Sequence, residues 1–550
     1  MPSRARFTRS ALAAALTLTL ALTACGGSDD TPTAATSPSA PPASRSTQAA
    51  PPVPPVPTPE ADWEDCPLTG QPTRECTTLK VPVDAAKPGS GTLELAVSRL
   101  PATDRKRRVG ALVMDPGGPG LPGLYTSAAL LPPQLRALYD IVGFDRRGSG
   151  ASTPVDCGEP GEAVKDLALT DDPAKATAAD PATLTAVTRA STAYVAKCRA
   201  KYGELTAHLG TRDAAADLES IRLALGEDKI SLLLSSYGTL LGQEYLNNHP
   251  DRVRAAVLDG TADPDRTGAQ IAVDGVLDLE TASGTKGETP AAQAAAKLRS
   301  YTAGFRAWCT VSGPAECALA PDPDKPLAQV AARTPDLLKA AEAVMVVPSD
   351  WPGFSRAVAR AADALQPPAN TPGGTETPDA TPYADLKAYA AKGFPKDVAA
   401  ATKPTPPTLA LTLGNHCADF PWPRDTKELL TRLTDTARRA GKAESAPSLA
   451  SEYVPCAAWP RPAEDRDPLG PLGPLTAKTA PLPLIVNTEH DPRTPLPGAE
   501  AVAKRLPGAL LKVAGQLHGT TLNGNPCVNA AVVRTLADGA KPTNGTCPAA

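Results

Sequence analysis

The chain has 550 residues, 21% of them charged, and a formal net charge of -4. That length allows a large core and more than one compact unit, while the near-balanced charge offers no basic field for nucleic acid and no acidic disordered tail. Its 62 prolines exceed the average usage of roughly 5% and predict long irregular connections.

Arg4, Arg6 and Arg9 precede an apolar run from Ala11 to Leu22 that is too short to span a bilayer, so residues 1–24 read as an export signal. The run ends in Leu22-Thr23-Ala24-Cys25, which resembles a bacterial lipobox and makes Cys25 the expected lipidated first residue of the mature chain. Residues 25–60 are rich in Pro, Ala, Ser and Thr and are expected to form a disordered linker. The protein is thus expected outside the cytoplasm, anchored by lipid to the outer face of the bacterial cell membrane or released, with membrane contact only through that anchor. Removing Cys25 from the 11 cysteines leaves 10, an even number suited to disulfides in an oxidising compartment. Pairing sequence neighbours joins Cys66 with Cys76, Cys157 with Cys198, Cys309 with Cys317, Cys417 with Cys456 and Cys527 with Cys547. Sequence alone does not fix that connectivity.

Residues 61–260 read as the first part of a catalytic core. Thr77 to Val83 and Leu93 to Leu100 alternate as two strands of a hairpin around Lys87-Pro88-Gly89-Ser90-Gly91. Val109 to Met114 and Tyr139 to Phe144 are apolar throughout, as buried parallel strands are, and each ends in a glycine-containing loop. The first of these loops, Asp115 to Gly120, presents bare backbone, so the amides of Gly117 and Gly118 are candidate oxyanion donors. The second, Gly143 to Gly150, reads as a structural turn pinned by an Asp/Arg pair, with no catalytic role. Residues 151–210 read as an insertion with a helix near Ala186 to Lys201; Thr211 to Leu225 then carries apolar residues at helical spacing behind a Thr211 cap.

Ile230 to Gly242 reads ISLLLSSYGTLLG, an apolar strand, a tight turn and a helix. This is the outline of a nucleophile elbow, in which a serine stands clear of the backbone at a helix N-terminus. Ser236 is the candidate, because Gly238 follows it by two residues; Leu234, however, replaces the first glycine of G-x-S-x-G and predicts a local rearrangement. A helix over Leu240 to Asn248 and a strand over Arg254 to Asp259 complete an alternation that predicts a parallel sheet. Residues 261–479 are Ala-rich helical segments broken by Pro/Gly-rich loops, notably Gln366 to Pro382, and read as a mostly helical cap.

Residues 480–550 resume the core, with strands Leu482 to Val486 and Ala509 to Val513 around a helix from Gly498 to Leu506. Asp491 and His518 lie in the loops that follow the two strands. A serine needs a base within hydrogen-bond reach and a third group to orient that base. Ser236, Asp491 and His518 supply these in the chain order of α/β-hydrolases. His518 is expected to take the Ser236 proton, Asp491 to fix the imidazole, and the Tyr237 amide with that of Gly117 or Gly118 to receive the oxyanion. The predicted fold is therefore an α/β-hydrolase: a mostly parallel sheet, helices on both faces, and a large helical cap insertion.

The pieces DPGGPGLPG at Asp115, GFDRRGSGAS at Gly143, SSYGTLLGQEY at Ser235, VLDGTADP at Val257, HCADFPW at His416, CAAWP at Cys456, NTEHDPRTP at Asn487 and GQLHGT at Gly515 run from Trp63 to the C-terminus. Together they resemble the secreted bacterial tripeptidyl aminopeptidases and their proline iminopeptidase-like relatives, α/β-hydrolase serine exopeptidases. The resemblance implies a triad of Ser236, Asp491 and His518, an acyl-enzyme, peptide substrates, a cap over the substrate N-terminus, and no cofactor. An aminopeptidase must also bind a free ammonium, for which Asp419 is the candidate; support of a helix or disulfide is its alternative role. His416, Cys417 and Asp419 are not read as a metal site, because Cys417 is expected in a disulfide. Two rival readings are an esterase or amidase of the same fold and a catalytically weak peptide-binding lipoprotein whose elbow Leu234 has spoiled.

Overall fold

Buried apolar strands alternating with helices set the architecture. The computed structural model describes residues 57–66, 73–125, 131–175, 180–275, 298, 302–334, 336–344, 350–365, 383–392, 408–461, 481–506, 508–515, 517–521 and 525–548. The expected signal, Cys25, most of the expected linker, the 366–382 loop and Gln516 lie outside the described residues. Ten strands among the described residues form one sheet: β1 (Glu64–Asp65), β2 (Glu75–Pro82), β3 (Thr92–Leu100), β4 (Gly110–Asp115), β5 (Tyr139–Phe144), β6 (Ile230–Ser235), β7 (Val253–Asp259), β8 (Leu484–Thr488), β9 (Ala509–Val513) and β10 (Gly545–Cys547). Their spatial order is β1-β2-β3-β5-β4-β6-β7-β8-β9-β10. Every pair from β5 across to β10 is parallel, and β1 to β3 join antiparallel at one edge.

Side chains leave a strand on alternate faces. Val113, Leu232, Leu234, Leu258 and Ile485 enter one apolar layer, while Leu112, Met114, Leu233, Val257 and Val486 enter the other. The first layer is filled by helices α1 (Pro181–Tyr202), α2 (Thr211–Ala224), α3 (Gly238–Asn248), α4 (Leu409–Asp419) and α5 (Ala446–Tyr453). The second is covered by Pro133–Leu138 and α6 (Pro526–Leu536). This is the mostly parallel, two-faced sheet expected of an α/β-hydrolase, and the regular elements among the described residues between β7 and β8 are helices. Among the described residues, Leu298, Phe305, Trp351, Phe354 and Leu386 belong to a separate apolar cluster. No helix among the described residues is long and apolar enough to cross a membrane.

Five disulfides join Cys66 to Cys76, Cys157 to Cys198, Cys309 to Cys317, Cys417 to Cys456 and Cys527 to Cys547. The loop after β5 departs from the expected Asp/Arg pin. Asp145 instead accepts backbone hydrogen bonds from Leu124 (2.9 Å) and Ala151 (2.8 Å). Arg147 forks onto Asp217 with two bonds of 2.7 Å.

Leu234 also departs from expectation, since β6 runs through it in register, paired to Asp115 of β4 and Leu258 of β7. The room for its side chain comes from Gly242, one turn into α3. A Cβ on Gly242 would stand 2.8 Å from Leu234 Cδ1 and 2.6 Å from Leu258 Cδ2. The strand carries the bulk and the helix carries the glycine, so the two elements pack closely with those roles exchanged. Gly242→Ala is expected to lower stability by about 1–3 kcal/mol through overpacking. Leu234→Gly, far from repairing the elbow, is expected to lower it by about 2–5 kcal/mol or more by emptying a packed site. Urea midpoints check both, and a midpoint raised by Leu234→Gly would contradict this packing.

Candidate active site

The turn after β6 is built under backbone strain. Ser236 has φ 54°, and Thr153 is the other non-glycine residue with positive φ among the described residues. A left-handed conformation costs a non-glycine residue on the order of 1–3 kcal/mol and persists only where its surroundings impose it. Here the Ser236 amide donates to the Asp259 carbonyl at the end of β7 (2.8 Å), and its carbonyl accepts from the Thr239 amide (2.9 Å) and hydroxyl (2.6 Å). Ser236 Oγ is thereby held 2.7 Å from His518 Nε2.

His518 reaches this serine from the loop after β9. Its Nδ1 lies 2.9 Å from Asp491 Oδ1 and 3.0 Å from Oδ2, with Thr494 Oγ1 at 3.3 Å. Asp491 Oδ1 also accepts the amides of Arg493 and Thr494, each at 2.9 Å, which fixes the carboxylate inside its own turn. Gly260 leaves room for the ring: a Cβ there would come within 3.2 Å of His518 Cε1. On one side of His518, the Leu517 carbonyl accepts from Thr488 Oγ1 (2.7 Å). On the other, the Asp259 carboxylate accepts the amides of Thr520 (2.6 Å) and Thr521 (2.7 Å) and the Thr521 hydroxyl (2.8 Å). Burial pushes the Asp259 carboxyl upward, and those threonine donors together with His518 pull it back. Asp259 thus grips the Ser236 turn through its carbonyl and the His518 loop through its side chain.

The two glycines expected as donors differ. Gly117 lies against the elbow, where a Cβ would stand 2.6 Å from the Ser235 carbonyl and 2.8 Å from the Tyr237 amide nitrogen. Its own amide, however, donates to Asp115 Oδ1 at 2.7 Å, so Gly117 is corrected from donor to spacer. The amides of Gly118 and Tyr237 have no acceptor among the described residues. Tyr237 turns its hydroxyl to Asp419 Oδ2 (2.7 Å), and burial and that carboxylate keep the phenol protonated.

Asp419 is engaged in the structural manner given above as its alternative role. Only 2% exposed, it already accepts the Thr211 amide (2.6 Å), the Thr211 hydroxyl (2.5 Å) and the Tyr237 hydroxyl, so it is spent on holding these two residues together. Cys417 lies in a disulfide. His416 stacks between Tyr237 and Tyr453, with centroids at 5.1 and 5.3 Å, and burial drives its pKa down to about 3, so it packs as a neutral ring. Asp259, Asp115 and Thr494 were not singled out from sequence. Their signal was the one that marks Asp491, a polar residue ending or following a buried strand.

Comparison with known proteins gives the same outline. A family model described as "alpha/beta hydrolase fold" matches residues 110–365, and one described as "TAP-like protein" matches residues 444–547. The chain is 31% identical over 502 residues to a tripeptidyl aminopeptidase of Streptomyces coelicolor, covering 85% of this chain and 82% of that protein. It is 28% identical over 491 residues to the serine protease Hip1 of Mycobacterium tuberculosis, covering 86% of each. It is 29% identical over 504 residues to carboxylesterase B of the same organism, covering 88% of this chain and 89% of that protein.

Burial raises the Asp419 pKa to about 6, against the pull of Thr211, Arg146 and Tyr237. The folded protein therefore holds this proton more tightly than the unfolded chain, in which an aspartate titrates near pH 3.9. The stability contributed by the protonated form is complete below about pH 4 and is lost as pH rises toward 6. Wild-type melting temperatures, compared with those of Asp419→Asn, are expected to fall across that window. A difference between the two proteins that is flat with pH would contradict the assignment.

Proposed function

The chain belongs to the α/β-hydrolase family that includes the tripeptidyl aminopeptidases, and from that membership we propose that it is an exported serine exopeptidase cleaving peptides near their free N-terminus. The contact chain from Ser236 Oγ through His518 to Asp491, at 2.7 and 2.9 Å, carries this reading. Ser236 Oγ attacks the scissile carbonyl carbon while His518 Nε2 takes its proton, and Asp491 orients and stabilises the imidazolium. The carbonyl oxygen, now negative, accepts from the Tyr237 and Gly118 amides. Collapse of this intermediate breaks the C–N bond, and the amine departs with the proton from His518. Water, deprotonated by His518, then attacks the acyl-Ser236 ester; the C–Oγ bond breaks, His518 returns the proton to Ser236 Oγ, and the N-terminal fragment leaves as an acid.

Residues 261–479 act in this proposal as a cap over the substrate N-terminus, and no cofactor is required. Export and lipid attachment at Cys25 are supported by the basic, apolar and lipobox-like order of residues 1–25. The similarity to carboxylesterase B favours a second reading, an esterase on the same triad.

Two measurements on the full chain separate these readings. A serine-directed fluorophosphonate is expected to label wild type and not Ser236→Ala, and tripeptidyl anilides are expected to turn over faster than simple alkyl esters. Ser236→Ala should lower kcat on the order of 10⁶-fold. A folded wild-type protein that resists the fluorophosphonate would remove the serine-hydrolase assignment, whereas fast ester and negligible anilide turnover would favour the esterase.

A further inference from the structure

Arg146 is a buried cation that the chemistry described so far does not use. It is 3% exposed, and its Nε and Nη1 have no hydrogen-bond partner among the described residues. Its Nε lies 3.9 Å from Asp115 Oδ2, an oxygen that likewise has no hydrogen-bond partner. Its Nη2 donates to Thr211 Oγ1 at 3.0 Å, and that hydroxyl in turn donates to Asp419 Oδ2 at 2.5 Å. The guanidinium carbon sits 5.7 Å from the centre of the Tyr237 ring, within reach of a cation–π attraction.

Two carboxylates are linked to Arg146, Asp115 by that ion pair and Asp419 through Thr211, and each holds a residue at the elbow. Asp115 closes the turn at Gly117, directly before the Gly118 amide, and lies against the first turn of α3, 3.2 Å from where a Cβ on Gly238 would be. Asp419 holds the Tyr237 hydroxyl, and thus the residue whose amide lies against the Gly117 loop. A buried carboxylate without a nearby cation takes up a proton or seeks water, and either change loosens the group it holds.

We propose that Arg146 is the positioning residue of the oxyanion hole: its charge keeps Asp115 and Asp419 in place together, so that the Gly118 and Tyr237 amides keep one spacing. This inference rests on the hydrolase reading above. Arg146 acts as a point charge, because it makes one hydrogen bond and a loose ion pair. Arg147, one residue on, differs in that it forks onto Asp217. Lysine is therefore a workable replacement at 146, although it would not be at a forked site.

The test uses the full chain and a tripeptidyl anilide. Arg146→Met is expected to lower kcat roughly tenfold to a hundredfold with KM within about twofold, since small displacements of oxyanion donors weaken transition-state contacts more than substrate binding. Arg146→Lys is expected to recover kcat to within about threefold of wild type. A Met variant with kcat within twofold of wild type, a loss confined to KM, or equal losses in the Met and Lys variants would overturn the proposal. If Arg146→Met does not accumulate folded, Asp115→Asn serves instead, because its amide oxygen can still accept from Gly117 while the charge is gone. It is expected to lower kcat about tenfold at constant KM, and an unchanged kcat would overturn the proposal. Wild-type protein inert toward the anilide would count against the peptidase reading itself, which separates the two failures.

Discussion

The amide of Ser236 donates to the carbonyl of Asp259, and much of the site depends on that bond. A non-glycine residue does not settle unaided into a left-handed conformation. The bond between the ends of β6 and β7 imposes it, which lifts Oγ off the backbone toward His518. The same aspartate binds the amides of Thr520 and Thr521, so one residue at the end of β7 sets both the height of the serine and the position of the loop that brings the histidine. Parallel strands make this possible because their carboxyl ends lie side by side, with β7 between β6 and β8.

Beneath the elbow, the helical insertion acts on the core as well as extending from it. Asp419 at the end of α4 is bonded to Thr211 at the start of α2 and to Tyr237 at the start of α3. Beside this lies an aromatic stack, Tyr237 on His416 on Tyr453 on Trp422, with successive centroids 5.1, 5.3 and 5.3 Å apart. His416 stays neutral in the stack because burial disfavours its charged form. The Cys417–Cys456 disulfide ties α4 to the segment just after α5 and holds the stack at its base. A neutral stack, two buried carboxylates and one buried arginine therefore support the residues flanking Ser236.

Much of this fold was legible wherever an apolar run was long enough to show its period. Tyr139 to Phe144 and Ala509 to Val513 are strands over the expected residues. β1 and β10 were not legible, because Glu64-Asp65 and Gly545–Cys547 are too short to alternate; each has a neighbouring or terminal cysteine in a disulfide, to Cys76 and to Cys527. Helix α6 carried readable signals, an Asn525 cap and apolar residues at helical spacing, which a reading centred on the strands passes over. The positions of Ser236, Asp491 and His518 were legible from chain order and strand ends. Their supporting carboxylates were not, because Asp419 meets Thr211 across 208 residues and Asp259 meets Thr520 across 261, distances over which no local pattern reports. The fit of Leu234 was illegible for the same reason, since the glycine that makes room for it lies in the following helix.

In the proposed mechanism Ser236 carries the acyl group between the two halves of the reaction. Rapid acid quenching of the full chain during turnover of a tripeptidyl ester, followed by peptide mapping in a mass spectrometer, tests this directly. The expected result is a tripeptidyl adduct on the fragment containing Ser236, with no adduct in Ser236→Ala. Product formation without that adduct, or an adduct on a different residue, would contradict the account.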